Sequence, residues 1–92
     1  MKILVACGNG MGSSVLLKLR IEQVLREHEV NAVVEAYSVG EAVSIANDFD
    51  ILLYPKSFEN RVGSVKIAKA GIVNMVSSVE IEKAFRELGL IR

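Results

Sequence analysis

One cysteine, one proline and one histidine are all that this 92-residue chain holds of those residue types. A single cysteine excludes an internal disulfide and a four-cysteine zinc site, and a lone thiol suits a reducing compartment. Charge of either sign is not in excess, since eleven Lys and Arg balance eleven Asp and Glu. That balance argues against nucleic-acid binding, whose usual footprint is a basic surplus, and gives no charge reason for adsorption to a membrane. Long apolar runs are missing too, and no stretch approaches the length that spans a bilayer. The start, Met1-Lys2 and then apolar residues, has the outline of a secretion signal, but its apolar run is too short and glycine interrupts it. The expectation is a cytoplasmic protein of one domain, residues 1–92, with a single small core and little stability to spare. The 51% apolar and 24% charged composition fits that class.

What is present alternates. Residues 3–6 form a short apolar run stopped by glycines, as in a buried parallel strand. Ser13 or Ser14 then opens a helix whose apolar face is Leu17, Ile21, Val24 and Leu25, running to about Glu27. Residues 31–38 read as a second strand, and the Ser38/Glu41 spacing predicts a helix over 40–46 that Asn47-Asp48 breaks. Residues 51–54 are a third strand, ended by Pro55, with a short helix expected over 56–62. A fourth strand is expected over 72–76. The Ser77/Glu80 pair then caps a last helix with Ile81, Ala84, Phe85 and Leu88 inward and Gly89 as its stop. This order predicts an α/β flavodoxin-like domain: a four-stranded parallel sheet in the order 2-1-3-4, with helices on both faces. Its ligand site should lie at the switch point between strands one and three, at their carboxyl ends.

The first strand delivers Cys7 to that point, and Gly8, Asn9, Gly10, Met11, Gly12, Ser13 and Ser14 follow. Three glycines at alternate positions let backbone N–H groups converge into an anion nest, and the next helix adds its positive end. The serines add hydroxyl donors. A thiol at the base of such a nest should ionise readily, and the same donors would hold a phosphoryl group bonded to sulfur. The nest thus marks Cys7 as the candidate nucleophile and residues 8–14 as the candidate phosphate cradle. The spacing is neither a dinucleotide fingerprint nor a Walker A loop, and no cofactor or metal is expected. Cysteine phosphatases share a strand, loop and helix around a cysteine, but there an Arg stands where this chain has Ser13. The only aspartates, Asp48 and Asp50, precede strand three at the opposite end of the sheet. A carrier of phosphate, a non-catalytic anion sensor and, third, a phosphatase all remain open on the residues alone. His28 is the other candidate phosphoryl acceptor, against its plainer reading as a helix-end cation. Lys56 and Ser57 sit in a loop expected to face Cys7, and Met11 at the loop tip is a candidate docking contact.

At residues 3–14, in the long first helix and at the Asn74-Met75 pair, the chain resembles the IIB components of the bacterial phosphoenolpyruvate-dependent sugar phosphotransferase system. Within the ascorbate/galactitol group it is most similar to the ascorbate type. The resemblance runs over nearly the whole chain, and its specific part is the first motif. It implies that Cys7 receives phosphate from a phosphohistidine on a IIA partner and carries it as S-phosphocysteine. It further implies donation to a sugar or sugar acid held by a IIC membrane transporter, which would draw the protein to the inner face of the membrane. Residues Gly8 to Ser14 carry over as the cradle.

Overall fold

The computed structural model describes residues 1–7, 11–74 and 77–91, with side chains in the first helix from Leu16 onward. Its sheet has four strands: β1 (Lys2–Cys7), β2 (Val33–Ser38), β3 (Ile51–Pro55) and β4 (Ala68–Ile72). All neighbours pair parallel, in the order β2-β1-β3-β4. The 2-1-3-4 order read from the sequence is the order found.

β1 is central, which explains its composition. Ile3, Leu4, Val5 and Ala6 are each 0% exposed, so no position on it can be polar. Successive side chains leave opposite faces. Ile3, Val5 and Cys7 join Leu17, Ile21 and Val24 of α1 (Met11–Glu27) and Ile81 and Phe85 of α3 (Ser78–Glu87). Leu4 and Ala6 join Val39 and Ala42 of α2 (Val39–Ile45), and Val62 and Val65 beyond β3. Helices therefore cover both faces, as the alternating pattern required.

Both long helices on the β1-cysteine face end in the same way. After α1, Val30 N–H donates to Leu25 O at 2.9 Å and Glu29 N–H to Arg26 O at 3.1 Å. After α3, Leu90 N–H donates to Phe85 O at 2.9 Å and Gly89 N–H to Arg86 O at 3.1 Å. These are Schellman closures, which need a left-handed residue. Gly89 supplies it freely at φ 82°, whereas Glu29 is forced to φ 56°.

Several boundaries differ from the sequence reading. α1 opens at Met11 rather than at Ser13 or Ser14, so Gly12 lies inside its first turn. A glycine there costs only about 1 kcal/mol against alanine, which the buried face of the helix outweighs. Residues 8–10 of the expected loop lie outside the described residues. α2 stops at Ile45 and a 3-10 turn, Ala46–Asp48, takes over. The helix expected over 56–62 is a 3-10 helix, Lys56–Val62.

The largest difference is β4, expected over 72–76 and found at Ala68–Ile72. Strand propensity favoured the Ile72-Val73 run over Ala68-Lys69-Ala70-Gly71. The edge position reverses that preference. Lys69 reaches over the edge to donate to Val62 O and Val65 O, both at 3.0 Å. Gly71 is needed for space, since a Cβ there would lie 2.9 Å from Lys56 Cδ and 3.1 Å from Tyr54 Cε2. Val73 is left 76% exposed.

The strained Glu29 yields a test. Glu29→Gly should relieve the left-handed conformation and stabilise the fold by about 1 kcal/mol, a rise in thermal midpoint of about 4–8 °C. A lower midpoint in thermal unfolding would contradict it.

Candidate functional site

The register fixes the layout of the sheet's carboxyl edge. Cys7 pairs with Ser38 on one side. On the other, Val5 pairs with Leu53, and β3 pairs with β4 as Leu53 with Ala70 and Pro55 with Ile72. Two residues beyond Val5, Cys7 therefore stands level with Pro55 and Ile72. Ile72, two strands away, lies about 10 Å across the edge. The chain leaves β1 for α1 on one face and leaves β3 for the 3-10 helix on the other, so a switch point lies beside Cys7.

Cys7 sits at the end of its strand, 1% exposed, in the apolar cluster that α1 and α3 complete. Its pleat position turns the side chain to the α1 face. Of the other candidate residues, Gly8, Asn9 and Gly10 lie outside the described residues. Met11, Gly12, Ser13 and Ser14 form the first turn of α1 in backbone, and their side chains lie outside the description. Met75 of the Asn74-Met75 pair is likewise outside.

Lys56 is not brought to Cys7. It runs along β4 on the other face of the sheet, its stem against Gly71 and its Nζ 2.7 Å from Glu59 Oε1. Tyr54, 2% exposed on that face, donates to the same carboxylate at 3.4 Å. The Lys56 hydrogen bond holds Glu59 below the usual carboxylate range, and Glu59 holds Lys56 above the usual lysine range. Burial, then Glu59, raises Tyr54. With Lys69, Lys83, Glu80 and Glu87 these groups line a cavity of about 310 Å³ at the β4 edge. His28 is farther still from the cysteine. It follows α1, about 25 Å long, at the amino edge, where its Nε2 is 3.7 Å from Glu82.

Asp50 lies at the amino edge as expected, accepting from Lys2 N–H at 2.8 Å. The carboxyl edge, however, is not without a carboxylate. Glu80 reaches back from α3 to Val73 N–H at 2.6 Å and Asn74 N–H at 2.8 Å. The Ser77/Glu80 spacing did mark this pair, and Ser77 Oγ does accept from Glu80 N–H at 3.2 Å. The reciprocal half differs, because the carboxylate passes over Ser77 to the strand end. At Ser38 the box is replaced by a side-chain bond, Ser38 Oγ to Glu41 Oε1 at 3.0 Å. Among the described residues no group of three or more His, Cys, Asp or Glu could hold a metal ion, and no helix is long and apolar enough to cross a membrane.

The family model described as "PTS system, Lactose/Cellobiose specific IIB subunit" matches residues 2–87, from the start of β1 to the end of α3. The chain belongs to this IIB family. As a IIB-family member it is a phosphotransferase-system component with a role in sugar phosphotransfer. An ascorbate-specific PTS system EIIB component of Mycoplasma pneumoniae is 32% identical over 87 residues, covering 94% of this chain and 92% of that protein. One of the same description from Salmonella typhimurium is 32% identical over 81 residues, with 86% and 79% covered. The solved lactose-specific IIB component domain from Streptococcus pneumoniae superposes with a TM-score of 0.61 at 21% identity, over 96% of this chain and 93% of that one. The IIB fold is thus shared across relatives named for different sugars.

The Lys56–Glu59 pair is about half exposed on both sides, so its effect on this IIB chain is small and screened. Glu59's lowered value means that its stabilisation is present at neutral pH and is lost as pH falls through that value. Glu59→Gln should therefore lower the thermal midpoint slightly at neutral pH and low salt. The difference should vanish at about pH 3 and in about 1 M salt. A difference that persisted in acid would contradict an ionic origin.

Proposed function

We propose that Cys7 is the phosphoryl carrier of this IIB chain. In the first step the Cys7 thiolate attacks the phosphorus of a phosphohistidine on a IIA partner. The S–P bond forms, the P–N bond breaks, and the imidazole leaves to take up a proton. In the second step a hydroxyl oxygen of a sugar or sugar acid, held by a IIC transporter, attacks the same phosphorus. The S–P bond breaks, the thiolate departs without needing a proton, and the hydroxyl proton passes to a base. The chain would act in the cytoplasm, at the inner face of the membrane where that transporter opens.

The observation that carries this reading is the position of Cys7. It ends the central strand at the switch point and immediately precedes the glycine-rich segment and the positive end of a 17-residue helix. Backbone N–H groups of residues 8–14 are the proposed donors to the phosphoryl oxygens, with Ser13 and Ser14 adding hydroxyls. The substrate is proposed to be of the ascorbate type, on the strength of the relatives so named.

Two outcomes follow. Incubated with phosphoenolpyruvate, the general phosphotransferase proteins and a matching IIA, the chain should gain one phosphoryl group by intact mass, and Cys7→Ser should gain none. Retained label in that variant would move the site to His28, and binding of IIA without label in either protein would favour a sensor. The second concerns hydrolysis. Ser13 replaces the phosphatase Arg, and no aspartate stands at the carboxyl edge, so water attack lacks both its clamp and its acid. Turnover of para-nitrophenyl phosphate should be barely detectable. Brisk turnover lost in Cys7→Ser would mean a phosphatase.

A further inference from the structure

The carboxyl edge holds a second built feature, and we propose that Glu80 is a positioning residue for phosphoryl transfer, fixing Val73 and Asn74 as the wall across from Cys7. The proposal rests on the reading of Cys7 as carrier.

Both carboxylate oxygens are committed. Oε2 accepts from Val73 N–H at 2.6 Å and Oε1 from Asn74 N–H at 2.8 Å, short charge-assisted bonds. Asn74 O accepts from Ser77 N–H at 3.1 Å, and Ser77 Oγ from Glu80 N–H at 3.2 Å. The four contacts close a ring from the end of β4 through the first turn of α3 and back. Both ends of that segment are anchored in the cysteine's own core, since Ile72 precedes it at 1% exposure and Ile81 follows it at 0%. The sheet register puts Ile72 level with Cys7, so Val73 and Asn74 stand just above that level on the same edge.

Capping α3 does not require this arrangement. Ser77 Oγ already satisfies one helix N–H, and a reciprocal capping box would return Glu80 to the N–H of Ser77 itself. The amides of Val73 and Asn74 are exposed, so water would satisfy them without the carboxylate. The clamp therefore adds order to the loop rather than rescuing buried polar groups. Its loss should be felt in the rate of transfer, where displacing a positioning wall by about 1 Å can cost on the order of 100-fold, more than in stability. The clamp also engages the one carboxylate described at this edge with donors, which tempers its repulsion of a phosphoryl dianion.

The test compares Glu80→Ala and Glu80→Gln with the wild type by amide hydrogen exchange, thermal midpoint and single-turnover labelling of Cys7 from phosphorylated IIA. In Glu80→Ala the Val73 and Asn74 amides should exchange at least about tenfold faster. The labelling rate at saturating IIA should fall about 10- to 100-fold, with the half-saturating IIA concentration within about twofold of wild type. Glu80→Gln, which keeps one acceptor oxygen, should recover part of the rate, and it serves as the test should the alanine variant fail to fold. Wild-type labelling rates in a folded variant, or a change confined to the half-saturating concentration, would overturn the positioning role and leave the carrier reading standing. A wild-type chain that takes no label on Cys7 would instead defeat the carrier reading, and the positioning role with it.

Discussion

β1 is buried on both faces, and the consequences reach every other element. Ile3 to Ala6 have no solvent-exposed surface, so the strand must lie between two neighbours and beneath helices on both sides. The strict two-residue alternation then decides which side each residue serves. Ile3, Val5 and Cys7 fall to α1 and α3, and Leu4 and Ala6 to α2. A slip of one residue would exchange these sets and turn Cys7 away from α1. The burial that stabilises the sheet is thus also what aims the thiol at the face whose helix begins beside it.

Around that strand the carboxyl edge is arranged by local compromises. Pro55 ends β3, and the chain continues as a 3-10 helix that carries Lys56 onto β4. Gly71 leaves room for the Lys56 stem, so the two strand ends pack closely. Glu80 then ties the end of β4 to α3. Lys56 and Glu80 stand near the same edge but do different things. Lys56 is engaged by Glu59 on the face opposite the cysteine, whereas Glu80 acts on a segment anchored in the cysteine's own core.

Much of this was legible in the sequence because its signals are periodic. The buried run at residues 3–6, the Leu17-Ile21-Val24-Leu25 stripe and the Ser77–Gly89 frame of α3 each repeat one physical requirement over several residues. Their alternation gave the strand order. β4 was misplaced because a single-residue environment, the edge with its Lys69 contacts and its space for Gly71, outweighed strand propensity in the run that follows. Lys56 was expected toward Cys7 because chain position says which edge a loop reaches, not which face its side chains take. Glu80 was found as half of a capping pair, but the distant amides it holds lie six and seven residues upstream, beyond any capping pattern. Cys7 itself was marked by its context, a lone thiol between an apolar strand and three alternate glycines.

The central claim is that the phosphoryl group travels on sulfur, and the phosphorus resonance of the labelled protein tests it most directly. Phosphorus-31 NMR distinguishes a phosphorus bonded to sulfur from one bonded to nitrogen or carboxylate oxygen. The account predicts a single resonance of the phosphorothiolate type after incubation with phosphorylated IIA, absent in Cys7→Ser and discharged when the transporter and its sugar are added. A phosphoramidate resonance that survives in Cys7→Ser and disappears in His28→Gln would contradict it.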